Sequence, residues 1–112
     1  MQQTQKTFHP VGMNGEHYTQ QELVDEVKAL TENLGSWNHS GIQVNPSVGD
    51  SSMVCIHVPT RSKLEFSDFA MLQMYGYVIH DIHYWENEPA IWVWVEKSRF
   101  LLNRLYPKEA VN

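Results

Sequence analysis

The fold of this chain is decided by one stretch near its C-terminus, Gly76-Tyr-Val-Ile-His-Asp-Ile-His-Tyr-Trp-Glu-Asn-Glu-Pro-Ala-Ile-Trp-Val-Trp-Val-Glu-Lys97. Two apolar runs flank residues 86–89, which are of turn-forming types, so the stretch predicts a β-hairpin. With a loop centred on Asn87 and Glu88, antiparallel strands pair symmetrically about that centre. The expected pairs are Trp85 with Ala90, His83 with Trp92, and Asp81 with Trp94.

The predicted hairpin has two unlike faces, because side chains alternate along a strand. The aliphatic face is expected to carry Val78, His80, Ile82, Tyr84, Ile91, Val93 and Val95. The other face is expected to carry Ile79, Asp81, His83, Trp85, Trp92, Trp94 and Glu96. Three Trp side chains represent roughly 500–700 Å² of apolar surface, at the upper limit of what a soluble monomer leaves exposed in one patch. We therefore expect the Trp-rich face to be covered.

The rest of the sequence predicts three helices and a second hairpin. Thr19 and Glu22 form a capping-box pattern before a helix over residues 20–34. Residues 37–44 and 52–58 read as two strands, with Met53, Cys55 and His57 on the side opposite to the aliphatic residues. A second helix is expected to start near the capping box of residues 62–65, or at Ser67, and to stop at Gly76. A short third helix is expected around Phe100, Leu101, Leu102 and Leu105.

This order predicts an α+β fold, α-ββ-α-ββ-α. We expect a two-layer sandwich in which a four-stranded antiparallel sheet, built from two hairpins, carries two helices on one face, followed by the short C-terminal helix. Residues 1–18 are polar and are predicted to form a flexible or docked N-terminal arm, whereas residues 19–112 form a single domain. The second helix is apolar nearly all round, which is typical of a helix buried on more than one side or lying at a subunit contact.

Composition narrows the classes of function. The net charge of the 112 residues is −5 and there is no basic stripe, so direct nucleic-acid binding is not expected. The single cysteine allows no intrachain disulfide, which fits a reducing compartment. Neither an 18-residue apolar run nor a signal peptide is evident, so we expect a soluble cytoplasmic protein without membrane contact.

The residues that could bind a metal are few. Cys55 and His57 share one side of a strand, as do Asp81 and His83, and all four could ligate zinc if the two strands were neighbours. No established metal or catalytic motif accompanies them. His80, on the predicted aliphatic face, is expected to be a core histidine. We therefore expect no catalytic residues, no metal and no cofactor.

Three covers are possible for the Trp-rich face: a terminal segment of the same chain, another protein chain, or a small ligand. We expect a non-catalytic protein-binding module, of the small acidic inhibitor type found in phage counter-defence or immunity, that binds a partner protein or forms a homodimer. The expected contact residues are Asp81, His83, Trp85, Glu86, Glu88, Trp92 and Trp94. The alternatives are a small-molecule or nucleotide-binding protein or enzyme with its site at Trp92, Trp94 and His83, and a structural subunit.

Overall fold

The computed structural model describes residues 9–32, 42–59, 66–84 and 90–107. After a 3-10 turn at Met13–Gly15, the elements are α1 (Gln20–Glu32), β1 (Gln43–Pro46), β2 (Met53–Pro59), α2 (Phe66–Met74), β3 (Tyr77–Tyr84), β4 (Ala90–Lys97) and α3 (Arg99–Leu105). The predicted α+β fold, with a four-stranded antiparallel sheet and three helices, is confirmed. None of the described helices is long and apolar enough to cross a membrane.

The strand order of the sheet is β1-β2-β4-β3, and all neighbours are antiparallel. The last strand, β4, therefore lies between β2 and β3 and forms the centre of the sheet. In the β3–β4 hairpin, Asp81 pairs with Trp94 and His83 pairs with Trp92, so these two predicted pairs are confirmed. The predicted pair of Trp85 with Ala90, and the loop of residues 86–89, lie outside the described residues.

A β-bulge in β3 changes the predicted faces at the start of this strand. Ile79 pairs with Val95 and Asp81 pairs with Trp94, so His80 is an extra residue between them. Ile79 therefore lies on the same side as the core residue Val95, and Val78 lies opposite Glu96 on the other side. The predicted faces of Val78, Ile79 and His80 were wrong for this reason. His80 is exposed instead of buried in the core.

The core lies between α1 and the aliphatic face of the sheet. Apolar residues recur at helical spacing along α1, and the Thr19–Glu22 capping box begins it: Glu22 N–H donates to Thr19 Oγ1 (3.2 Å), and Thr19 N–H donates to Glu22 Oε1 (3.0 Å). The buried cluster consists of Leu23, Val24, Val27, Leu30, Val54, Ile56, Val58, Leu72, Tyr77, Val93 and Val95.

Only one side of α2 is buried. Leu72 belongs to the core, whereas Met71 and Met74 are exposed. Ser67 lies inside the helix, so it is not the N-cap; the capping box predicted at residues 62–65 lies outside the described residues. The helix ends before Gly76, which has a φ of +89° as expected for a glycine stop.

A buried ion pair joins the end of β4 to α1. Lys97 Nζ lies 2.8 Å from Glu26 Oε1 and also donates to the carbonyl of Tyr75 (2.6 Å). The Tyr77 hydroxyl donates to the same Glu26 oxygen (2.7 Å), and the N–H of Val11 donates to Glu26 Oε2 (2.8 Å). Burial lowers the pKa of Lys97, an effect that Glu26 opposes. One carboxylate thus holds a strand, a helix and the segment before α1 together.

Candidate functional site

The sheet face opposite the core is called the open face here; its side chains include Met53, Cys55, His57, Val78, Asp81, His83, Trp92, Trp94 and Glu96 of β2, β3 and β4, together with Gln43 and Asn45 of β1. Three strands, β2, β4 and β3, carry the central part of this face. Their register places one side chain of β2 and one of β3 beside each indole of β4. One row is Cys55, Trp94 and Asp81, and the next is His57, Trp92 and His83. Each Trp of the central strand therefore lies between a side chain of β2 and a side chain of β3.

The aromatic rings of the open face contact one another in a continuous array. The Trp92 and Trp94 rings are stacked with 6.3 Å between centroids and 27° between planes. The His57 ring contacts Trp92 edge-on at 4.6 Å, and the His83 ring contacts Trp94 edge-on at 5.2 Å. These contacts restrict the rotamers of both indoles.

Asp81 and His83 form a close polar pair at the edge of this array. His83 Nε2 lies 2.6 Å from Asp81 Oδ2, and the other carboxylate oxygen accepts the N–H of Ile82 (2.9 Å). Hydrogen bonding to His83 lowers the pKa of Asp81, so its carboxylate is ionised at neutral pH. About half of each side chain is exposed (47% for His83 and 51% for Asp81). Both are accessible to a binding partner.

An open groove of about 400 Å³ lies between these residues and the turn that joins β1 to β2. Asp50, in that turn, accepts hydrogen bonds from the hydroxyl (2.7 Å) and N–H (2.9 Å) of Ser52, and these bonds lower the pKa of Asp50. The groove therefore has two ionised carboxylates and an indole in its wall. It is lined by Ser47, Val48, Gly49, Asp50, Met53, His80, Asp81, His83 and Trp94.

The four candidate zinc ligands do not converge. Cys55 and His57 lie on β2, Asp81 and His83 lie on β3, and β4 separates the two strands. Strands two places apart are about 10 Å from each other, whereas zinc needs each ligand at about 2 Å. Within the described residues, no group of three Cys, His, Asp or Glu side chains is placed to hold a metal ion.

The Cys55 side chain lies on the open face but is buried there, and burial raises the pKa of its thiol to about 11. This shift, from an ordinary value of 9.0, reduces the thiolate fraction near pH 8 by about 100-fold. We expect iodoacetamide to label Cys55 at least about 100-fold more slowly in the native protein than in urea, with mass spectrometry as the readout. Equal rates in the two states would show that this part of the face is not packed as described.

The described terminal segments contact the helices. The main contacts of α3 are with the 3-10 turn and with α2. Arg99 lies over the Tyr18 ring (4.8 Å) and donates to the carbonyl of Glu16 (3.3 Å), which ties α3 to the segment before α1. In the described part of the chain, therefore, neither of the two terminal segments that were candidate covers has its main contacts with the strands of the Trp-rich face.

The open face is also acidic. Apart from histidines, Lys97 is the only basic residue of the four described strands, and it is buried on the helix side of the sheet. Asp81 and Glu96 lie on the open face itself, and Asp50 lies at its border. A cationic group approaching this face meets carboxylates and indoles and no described Lys or Arg side chain of the sheet.

The structure brings together four of the predicted contact residues: Asp81, His83, Trp92 and Trp94. Trp85, Glu86 and Glu88 lie outside the described residues.

Sequence reasoning missed Asp50 and His80 as groove residues. His80 reaches the groove because of the bulge, and Asp50 because the β1–β2 turn lies beside the start of β2; the run of turn-type residues 45–50 was the only signal for the latter.

Comparison with known proteins adds no assignment to this site. No protein-family model matches the chain, and no curated protein and no solved structure matches it.

Proposed function

We propose that this protein is a non-catalytic binding module that uses its open face to bind the cationic side chains of another protein. One observation carries the proposal: the stacked Trp92 and Trp94 rings lie beside the ionised carboxylate of Asp81, on a face whose described strands offer no accessible Lys or Arg. Trp faces and carboxylates are the two groups that attract a guanidinium or ammonium group most strongly at a protein surface.

The charge of the whole molecule supports the same class of partner. A net charge of −5 accelerates the encounter with a basic protein and repels acidic ones. Aromatic anchors whose rotamers are already restricted lose little entropy on binding, which favours a tight complex. A small acidic inhibitor of a basic protein, of the phage counter-defence or immunity type and acting in the cytoplasm, fits this description. The proposed contact residues are Asp81, His83, Trp92 and Trp94, together with Trp85, Glu86 and Glu88.

Two chemical arguments disfavour the alternatives. The phosphates of a nucleotide in the groove would be repelled by the carboxylates of Asp50 and Asp81. Nucleophilic catalysis by Cys55 is disfavoured because burial keeps its thiol protonated at neutral pH.

The proposal is tested by selecting binders from a displayed random peptide library. Peptides are enriched on the wild-type protein alone, and their binding is then compared with binding to the Trp92→Ala, Trp94→Ala double variant, whose fold is checked by circular dichroism. We expect the enriched peptides to be rich in Arg and Lys, because the wild-type face offers indoles and carboxylates. Binders that are acidic, or that bind both proteins equally, would contradict the proposal.

Single substitutions should separate the roles of the indole and the carboxylate. For an enriched peptide, Trp94→Ala is expected to raise Kd at least about 30-fold, because central Trp anchors contribute about 2 kcal/mol or more. Asp81→Asn should weaken binding less and should flatten its dependence on salt, because a partly exposed charge acts mainly on the rate of association. Isothermal titration at two salt concentrations measures both effects, and an unchanged Kd for Trp94→Ala would contradict the assignment.

A further inference from the structure

We infer that a second copy of this chain covers the helix-side surface formed by β3 and α2, so that the protein is a two-fold symmetric dimer. The observation is an uncovered apolar row on the core side of β3. Tyr77, at the start of the strand, is buried, but Ile79, Ile82 and Tyr84 are 39%, 45% and 62% exposed. Ile82 pairs with the fully buried Val93, so its side chain lies on the core side of the sheet and is nevertheless exposed.

The row is uncovered because of where the helices lie. β3 is one edge strand of the sheet, whereas α1 packs on β1 and β2, near the opposite edge. Among the described elements, α2 is the helix with its main sheet contacts on β3. This helix adds the exposed side chains Met71 and Met74. Its only charged residue, Asp68, is buried, so α2 presents no charge to solvent.

The size of this surface matches what a dimer requires. The exposed fractions of Met71, Met74, Ile79, Ile82 and Tyr84 correspond to roughly 500 Å² in one copy. Two copies that cover these side chains completely would bury roughly 1,000 Å², which is about the smallest area of a specific interface. A protein with a net charge of −5 can approach its own copy most easily where no charge is presented.

We place the dimer contact on the apolar side chains of β3 and not on the backbone groups at its outer edge. The N–H of Ile82 donates to the Asp81 carboxylate (2.9 Å), which places a charge beside this edge strand. A charge at this position, together with the bulge at His80, disfavours pairing with a further strand. The apolar side chains next to this edge have no such protection. A second copy of the same surface would bury them in a two-fold symmetric interface.

Sedimentation equilibrium tests the inference between about 1 μM and 1 mM, the range that covers weak to moderately tight complexes. The wild-type mass is expected to rise towards twice 13.1 kDa, whereas Ile82→Lys is expected to weaken the dimer at least about 100-fold. Tyr84→Lys should do the same; its larger exposure makes it the variant of choice if Ile82→Lys does not fold. Val48→Lys, at a fully exposed turn residue, is the matched control and should associate like the wild type.

The result is independent of partner binding, because Ile82 and the Trp pair lie on opposite sides of the sheet. Ile82→Lys should weaken the dimer and leave binding of an Arg-rich peptide unchanged. A wild-type protein that stays at 13.1 kDa throughout would overturn the dimer inference without affecting the proposed function. A dimer that persists in Ile82→Lys and Tyr84→Lys but dissociates in Trp94→Ala would also overturn it, and would place self-association on the open face.

Discussion

Replacing Lys97 by Met should lower the free energy of unfolding by about 3–5 kcal/mol. The Lys97 side chain is completely buried, and its ammonium group compensates the carboxylate of Glu26, which is only 10% exposed. Met keeps most of the apolar volume but removes the charge and the hydrogen bonds to Glu26 and Tyr75. Among the described residues, the Tyr77 hydroxyl and the Val11 N–H would then remain as the donors to this buried carboxylate.

Urea unfolding followed by circular dichroism measures this loss. The matched control is the double variant Glu26→Met, Lys97→Met, which removes both charges. The cost of desolvating both charges offsets much of the attraction within a buried ion pair. The double variant, which has neither charge, should therefore lose less stability than Lys97→Met alone. A loss below about 1 kcal/mol in Lys97→Met would contradict the buried pair, since an exposed ion pair contributes only that much.

Replacing Gly76 by Ala should lower the free energy of unfolding by about 2–5 kcal/mol. Two effects add: the residue has a φ of +89°, where a side chain costs about 1–2 kcal/mol, and the new methyl group would overpack the core. A Cβ atom at this position would lie 2.5 Å from Leu102 Cγ and 2.7 Å from Leu102 Cδ2, and Leu102 is itself buried. The helix α3 or the end of α2 would have to move.

Gly49→Ala separates the two effects in the same urea measurement. Gly49 has the same φ of +89°, but nothing lies within 4 Å of its expected Cβ position. It should therefore lose only the conformational part, about 1–2 kcal/mol, and Gly76→Ala should lose about 1–3 kcal/mol more. Equal losses for the two variants would mean that α3 does not pack on Gly76 as described.

Local sequence signals predicted the parts of this fold that depend on neighbouring residues. The Thr19–Glu22 capping box, the stop at Gly76 and the pairs of Asp81 with Trp94 and His83 with Trp92 all follow from residues close together in the chain. The bulge at His80 could not be predicted, because the alternation of apolar and polar residues in β3 is compatible with a regular strand and with a strand that contains one extra residue. One inserted residue was enough to exchange the faces of Val78 and Ile79.

Features that join distant parts of the chain could not be predicted from the sequence for a different reason. The position of β4 between β2 and β3 depends on the connection through α2, and no residue pattern of the hairpin encodes it. The ion pair of Lys97 with Glu26 joins residues 71 positions apart, each of which resembles an ordinary surface charge when read alone. For the site, the sequence predicted that the indoles, Asp81 and His83 share one face. The hydrogen bond between Asp81 and His83, and the positions of Asp50 and His80 in the groove, depend on the folded structure.

The proposed function requires the open face to bind cationic side chains of a partner. The most direct measurement is a titration of the ¹⁵N-labelled protein with an enriched Arg-rich peptide, followed by NMR. We expect the indole N–H signals of Trp92 and Trp94 and the amide signals of Asp81 and His83 to shift together, with one Kd, and Ile82→Lys to leave the titration unchanged. Shifts confined to α1 or α2, with the two indole signals unmoved, would contradict it.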